Sequence, residues 1–138
     1  MKTADVREWS EEFSVNVKLF DVQHGRFVQM IARLEAAMSQ GTAAQELADL
    51  LADLIAYARE HFATEEAVMK AYDYPLRDHH ALEHRQVSAV LDRLHSRCRS
   101  SEAVLSVEVL DHLRQWLEQH VAGTDKMYTE HLNARGLY

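Results

Sequence analysis

Twice between His61 and His84 the chain sets two metal-ligand side chains four residues apart, as His61-x-x-x-Glu65 and His80-x-x-x-His84. On an α-helix that spacing brings both side chains out of one face, a turn apart. Tyr74-Pro75 stands between the pairs, and a proline there ends one helix and lets another begin. Antiparallel neighbours then aim all four side chains into a shared interior. Two more histidines fall on apolar seams. His24 follows Phe20 and precedes Phe27, Ile31, Leu34 and Met38 at helical steps, and His120 follows Val109, Leu113 and Leu117. Five imidazoles in a leucine-lined core cannot all find hydrogen-bond partners without great cost. Metal ions remove that cost, because imidazole nitrogen and carboxylate oxygen bind them directly. Five histidines exceed the coordination of one tetrahedral zinc. Two metals bridged by carboxylates fit better, with Glu65 as one bridge and Asp125 as the candidate for the other. His79 is set aside in favour of His80, because only the register of His80 and His84 agrees with Leu76, Val87 and Leu91.

The elements that must carry these residues follow from the same periodicity. Apolar residues recur at alternating steps of three and four in four segments, about 20–39, 43–71, 76–99 and 102–134. The second seam is Leu47, Leu51, Leu54, Ala58, His61, Glu65 and Val68, and the third is Leu76, His80, His84, Val87, Leu91 and Leu94. Asp21 is the expected N-cap of the first helix. Gln40-Gly41-Thr42 closes that helix and caps the second, and Gly136 is the expected final stop. Residues 1–19 read as an arm, with Trp9 as a plug for one end of the core. The expectation is a single all-α domain over 1–138, an antiparallel up-down-up-down four-helix bundle. Only 4 Gly and 1 Pro occur, little turn material for a sheet protein. The formal net charge of −7 excludes ordinary nucleic-acid binding, which needs basic patches. No run is long enough to span a bilayer. A lone cysteine, Cys98, points to a reducing, cytoplasmic setting.

Read in order, His24, His61-x-x-x-Glu65, His80-x-x-x-His84 and His120-x-x-x-x-Asp125 resemble the hemerythrin family in its bacterial single-domain form. The flanking pieces Asp21-Val-Gln-His24, Glu65-Glu66-x-x-Met69, Tyr74-Pro75 and Asp125-Lys-Met-Tyr128 agree, and the likeness runs from about Trp9 to Leu132. The resemblance implies a non-haem di-iron centre, two iron ions (Fe2+/Fe3+) with a bridging oxo or hydroxo group, that binds O2 reversibly. It implies His80, His84 and His120 on one iron, His24 and His61 on the other, and Glu65 and Asp125 between them. The expected roles are oxygen storage, delivery or sensing, without enzymatic turnover, by a cytoplasmic monomer that could hand O2 to a protein partner. Around the iron with fewer ligands the expected O2 pocket is Phe27, Phe62, Trp116, Leu117 and Val121, with Leu117 as the guard against water. Two other readings use the same residues: a di-iron enzyme acting on peroxide or nitric oxide, and a structural metal-binding bundle. Ferritin-like oxidases use Glu-x-x-His pairs, and this chain has none.

One spacing carries a conformational expectation. His120 and Asp125 are five residues apart, about 140° around a regular α-helix. Both reach one site only if the helix widens near Ala122-Gly123-Thr124, as a π-type turn would allow.

Overall fold

The structure, a computed structural model, describes residues 13–100 and 106–138, the side chain of Val107 excepted. Trp9 lies outside the described residues. Four main helices form the bundle: α1 (Lys18–Ser39), α2 (Ala44–Ala71), α3 (Arg77–Arg99) and α4 (Val107–Gln119). The last continues through a π-helical turn, His120–Thr124, and a 3-10 turn, Asp125–Tyr128, into the short α5 (Thr129–Ala134). The widened turn expected between His120 and Asp125 is therefore present.

Apolar seams hold the bundle together. Phe20, Phe27, Ile31 and Leu34 of α1 meet Leu51, Leu54 and Ala58 of α2, Val87 and Leu91 of α3, and Leu110, Leu113 and Leu117 of α4, all buried. Each large side chain so buried contributes roughly 1.5–3 kcal/mol. Leu76 departs from the expected seam and is 43% exposed. The cause is the turn before it. Asp73 adopts φ 55°, and the Tyr74 amide donates back to the Met69 carbonyl at 2.9 Å. This left-handed closure of α2 carries Leu76 to the N-cap of α3 rather than onto its buried face.

The helix ends also differ from expectation. Asp21 lies inside the first turn of α1, and Val17 is the residue before the helix. The Asp21 carboxylate instead accepts from the Val15 amide at 2.8 Å and the Ser14 hydroxyl at 2.6 Å. That ties down the end of the arm, whose Val15 and Val17 are buried in the core. Ala43, not Thr42, precedes α2. Gly41, at φ 72°, lets the Thr42 amide reach the Ala37 carbonyl at 3.1 Å. The expected start of the fourth helix at 102 lies outside the described residues; α4 is described from Val107, where Ser106 is extended and its side chain caps the Val109 amide.

Candidate metal centre

The buried polar side chains of the described core are His24, His61, Glu65, His80, His84, His120 and Asp125. α1 supplies His24, α2 supplies His61 and Glu65, α3 supplies His80 and His84, and the π-helical turn delivers His120 and Asp125. All seven residues singled out by spacing converge. They form two groups, Glu65 with His80, His84, His120 and Asp125, and His24 with His61 and Glu65.

The two carboxylates face both groups. Glu65 Oε1 lies 2.9 Å from His80 Nε2 and 3.1 Å from His84 Nε2. Its other oxygen, Oε2, lies 3.5 Å from His24 Nε2 and 3.4 Å from His61 Nε2. Asp125 divides the same way. Oδ1 stands 2.8 Å from His80 Nε2 and 3.0 Å from His120 Nε2, while Oδ2 stands 3.2 Å from His24 Nε2. The imidazoles of His24 and His61 approach Nε2 to Nε2 at 3.1 Å.

These spacings test whether the donor set fits metal ions. Ligand atoms about 2.1 Å from one metal and at right angles stand roughly 3 Å apart. The separations match that edge. His84 Nε2, His120 Nε2 and both Asp125 oxygens are buried yet make no well-formed hydrogen bond. Buried polar atoms rarely go unsatisfied, and here they point into a common space. The donor set fits two metal ions, with Glu65 in both groups and Asp125 Oδ2 turned toward His24.

The outer nitrogens of three of the imidazoles are also held. His61 Nδ1 lies 2.6 Å from Gln23 Oε1, His84 Nδ1 lies 2.7 Å from Glu66 Oε2, and His120 Nδ1 lies 3.0 Å from Glu83 Oε1. These contacts fix Nδ1 as the protonated nitrogen and turn Nε2 inward. Thr124 donates to Glu83 at 3.0 Å, and the exposed His79 lies 3.2 Å from its other oxygen. Tyr128 donates its hydroxyl to Glu65 Oε2 at 2.8 Å, and its ring stacks on His80 at 5.6 Å. Sequence reasoning gave none of these supporting residues a role. Their signals were adjacency, since Gln23, Glu66 and Glu83 each stand beside a ligand position, and the place of Gln23, Glu66 and Tyr128 in the flanking pieces quoted above.

Charge inside the cluster follows from the packing. Burial alone would raise Glu65, but four surrounding imidazoles hold its carboxyl well below the usual range. Burial and the negative Glu65 push Asp125 upward, yet His120, His24 and His80 hold it well below its ordinary value. Without metal, burial pushes His24, His80 and His120 down, and the adjacent Asp125 and Glu65 overcome it. His24 stands at about 9 and His80 at about 10.

The five residues expected around O2 are placed unequally. Phe62 is buried between the groups, stacked on His84 at 4.1 Å and tilted against His61 at 5.9 Å. Trp116 is half-buried and stacks on His120 at 4.6 Å, so it backs the three-histidine group. The Phe27 ring meets Tyr57 at 6.3 Å. Leu117 and Val121 are buried within a turn of His120.

Fold and site together define a helical-bundle protein whose core holds a buried histidine and carboxylate donor set suited to metal. Residues 15–132 match the family model described as the hemerythrin HHE cation binding domain. The bacteriohemerythrin of Methylococcus capsulatus is 30% identical over 123 residues, 89% of this chain and 93% of that protein. The bacteriohemerythrin of Ralstonia nicotianae is 29% identical over 131 residues, 95% of this chain and 92% of that protein. Among solved structures, wild-type hemerythrin aligns with a TM-score of 0.85 at 29% identity, over 89% of this chain and 95% of its own. A leucine-to-alanine mutant of hemerythrin aligns at 0.86 and 28% identity, over 91% of this chain and 95% of its own. The chain belongs to the hemerythrin family.

Proposed function

We infer that this chain is a non-haem di-iron protein that binds O2 reversibly, with His80, His84 and His120 on one iron, His24 and His61 on the other, and Glu65 and Asp125 shared. The observation that carries the ligand assignment is the division of each carboxylate, one oxygen toward each histidine group. Two irons of this kind supply the electrons that O2 takes on binding and returns on leaving. The protein's own residues do the rest. Gln23, Glu66 and Glu83 orient the imidazoles. Tyr128 holds Glu65 in place. Phe27, Phe62, Leu117 and Val121, all buried, keep water from a site where it would promote irreversible oxidation.

A binding role is preferred to turnover because Phe62, Leu117 and Val121, buried beside the histidines, offer no acid, base or nucleophile. The Tyr128 hydroxyl, which could act as an acid, is engaged by Glu65 and held well above its ordinary value by burial and that negative charge. The chain is further read as one domain acting as a cytoplasmic monomer, a setting in keeping with the lone thiol of Cys98. Among the described residues no helix is long and apolar enough to cross a membrane. The test is iron analysis of the purified chain followed by repeated exposure to O2 and vacuum. The expected outcome is two irons per chain and a colour that appears and disappears over several cycles. One zinc per chain, or colour that forms once and never reverses, would overturn the reading.

A further inference from the structure

Three of the five imidazoles, His61, His84 and His120, lean on a side chain at the outer nitrogen, and the charge of that partner differs between the two groups. In the three-histidine group, His84 leans on the Glu66 carboxylate at 2.7 Å and His120 on the Glu83 carboxylate at 3.0 Å. In the two-histidine group, His61 leans on Gln23, a neutral amide, at 2.6 Å. A carboxylate on the outer nitrogen makes an imidazole a stronger donor than an amide does, because it stabilises positive charge building on the ring. The three-histidine group therefore has one more imidazole and two anionic supports. Glu83 is itself anchored, accepting from Thr124 and facing His79.

We propose that the two metal positions are unequal in strength, the His80/His84/His120 position holding its metal more tightly than the His24/His61 position because Glu66 and Glu83 support the first and Gln23 the second. The inference rests on the di-iron reading. Its consequence is an ordered metal economy. The tight position fills first and empties last, and the loose one governs whether the chain is competent to bind O2. Under iron shortage the chain persists with one metal, folded and inactive, and is restored by a single ion.

The iron-loaded chain, reduced and kept anaerobic, is mixed with an excess of a coloured ferrous chelator, and release is followed with time. Two phases of one iron each are expected. In Glu66→Gln and Glu83→Gln the slow phase should accelerate by about 10- to 100-fold, with the fast phase little changed. In Gln23→Glu the fast phase should slow. Mass spectrometry under non-denaturing conditions, sampled between the phases, should show a folded one-iron species. Release of both irons in a single phase from the unmodified chain would overturn the proposal, as would unchanged phases in all three variants. Starting iron below two per chain would instead sink the di-iron reading, and this inference with it.

Discussion

Replacing Tyr128 by Phe isolates one hydrogen bond at the centre of the site. The ring is fully buried, stacked on His80 at 5.6 Å and tilted against Phe20 at 5.4 Å, and a phenylalanine ring keeps both contacts. Only the hydroxyl that donates to Glu65 Oε2 at 2.8 Å is lost. Glu65 is itself fully buried, so no bulk water takes the donor's place. A hydrogen bond to a charged group contributes about 1.5–3 kcal/mol. Metal ions on Glu65 neutralise part of its charge, so the iron-loaded chain should fall at the lower end and the metal-free chain at the upper. For a domain of this size 1 kcal/mol moves the midpoint by roughly 3–5 °C. Tyr128→Phe should therefore melt about 5–8 °C below the parent when iron-loaded and about 9–15 °C below it when metal-free. The assay is circular dichroism at 222 nm against temperature, with iron measured on the same samples. Equal losses in the two states would show that the hydroxyl acts on packing rather than on the Glu65 charge. No loss in either would refute the role given to Tyr128.

Leu117→Asn should retain two irons but lose its O2-dependent colour faster in air, because a polar side chain draws water toward the irons; an unchanged rate at unchanged iron would remove Leu117 from that role. Gly123→Ala should be tolerated, since Gly123 has no positive φ and an added Cβ meets nothing within 4 Å; a gain of about 0.5–1 kcal/mol is expected, and loss of iron would show that the π-helical turn needs glycine. pH should act oppositely on the two forms. His24 and His80 are raised to about 9 and about 10 in the metal-free fold, so their stabilisation is complete below about 6.5 and is lost as pH rises through the raised values. Metal ions displace those protons, so binding strengthens over the same range. The gap in melting temperature between iron-loaded and metal-free chain should widen from pH 6 to pH 9, and a narrowing gap would contradict the charge assignment.

The ligand positions were legible because helix periodicity is strict where a seam is buried. His61, Glu65, His80 and His84 fall in step with the apolar seams of their helices, and all are buried. Even the irregular step from His120 to Asp125 was informative, since two buried polar groups five apart demand the wider turn that the structure has. Helix ends were less legible. Asp21 has the chemistry of a cap, but Ser14 and the Val15 amide compete for the same carboxylate and take it. Leu76 fits a seam by count alone, yet the left-handed residue Asp73 sets where α3 begins and leaves it at the surface. The supporting residues were illegible for another reason. Gln23, Glu66 and Glu83 lie beside ligands on the flank of each helix, where polar side chains are ordinary. Only the rotation of each imidazole, fixed by its inward nitrogen, shows that its outer nitrogen needs them.

Two irons that share Glu65 and Asp125 would lie close enough to scatter from one another, which X-ray absorption at the iron edge of the loaded chain reads. Nitrogen and oxygen neighbours in a five- or six-coordinate sphere are expected, together with scattering from a second iron just beyond it. Asp125→Ala should remove or weaken that second-iron signal while imidazole scattering remains. An iron or zinc with four ligands and no metal neighbour would contradict the shared site.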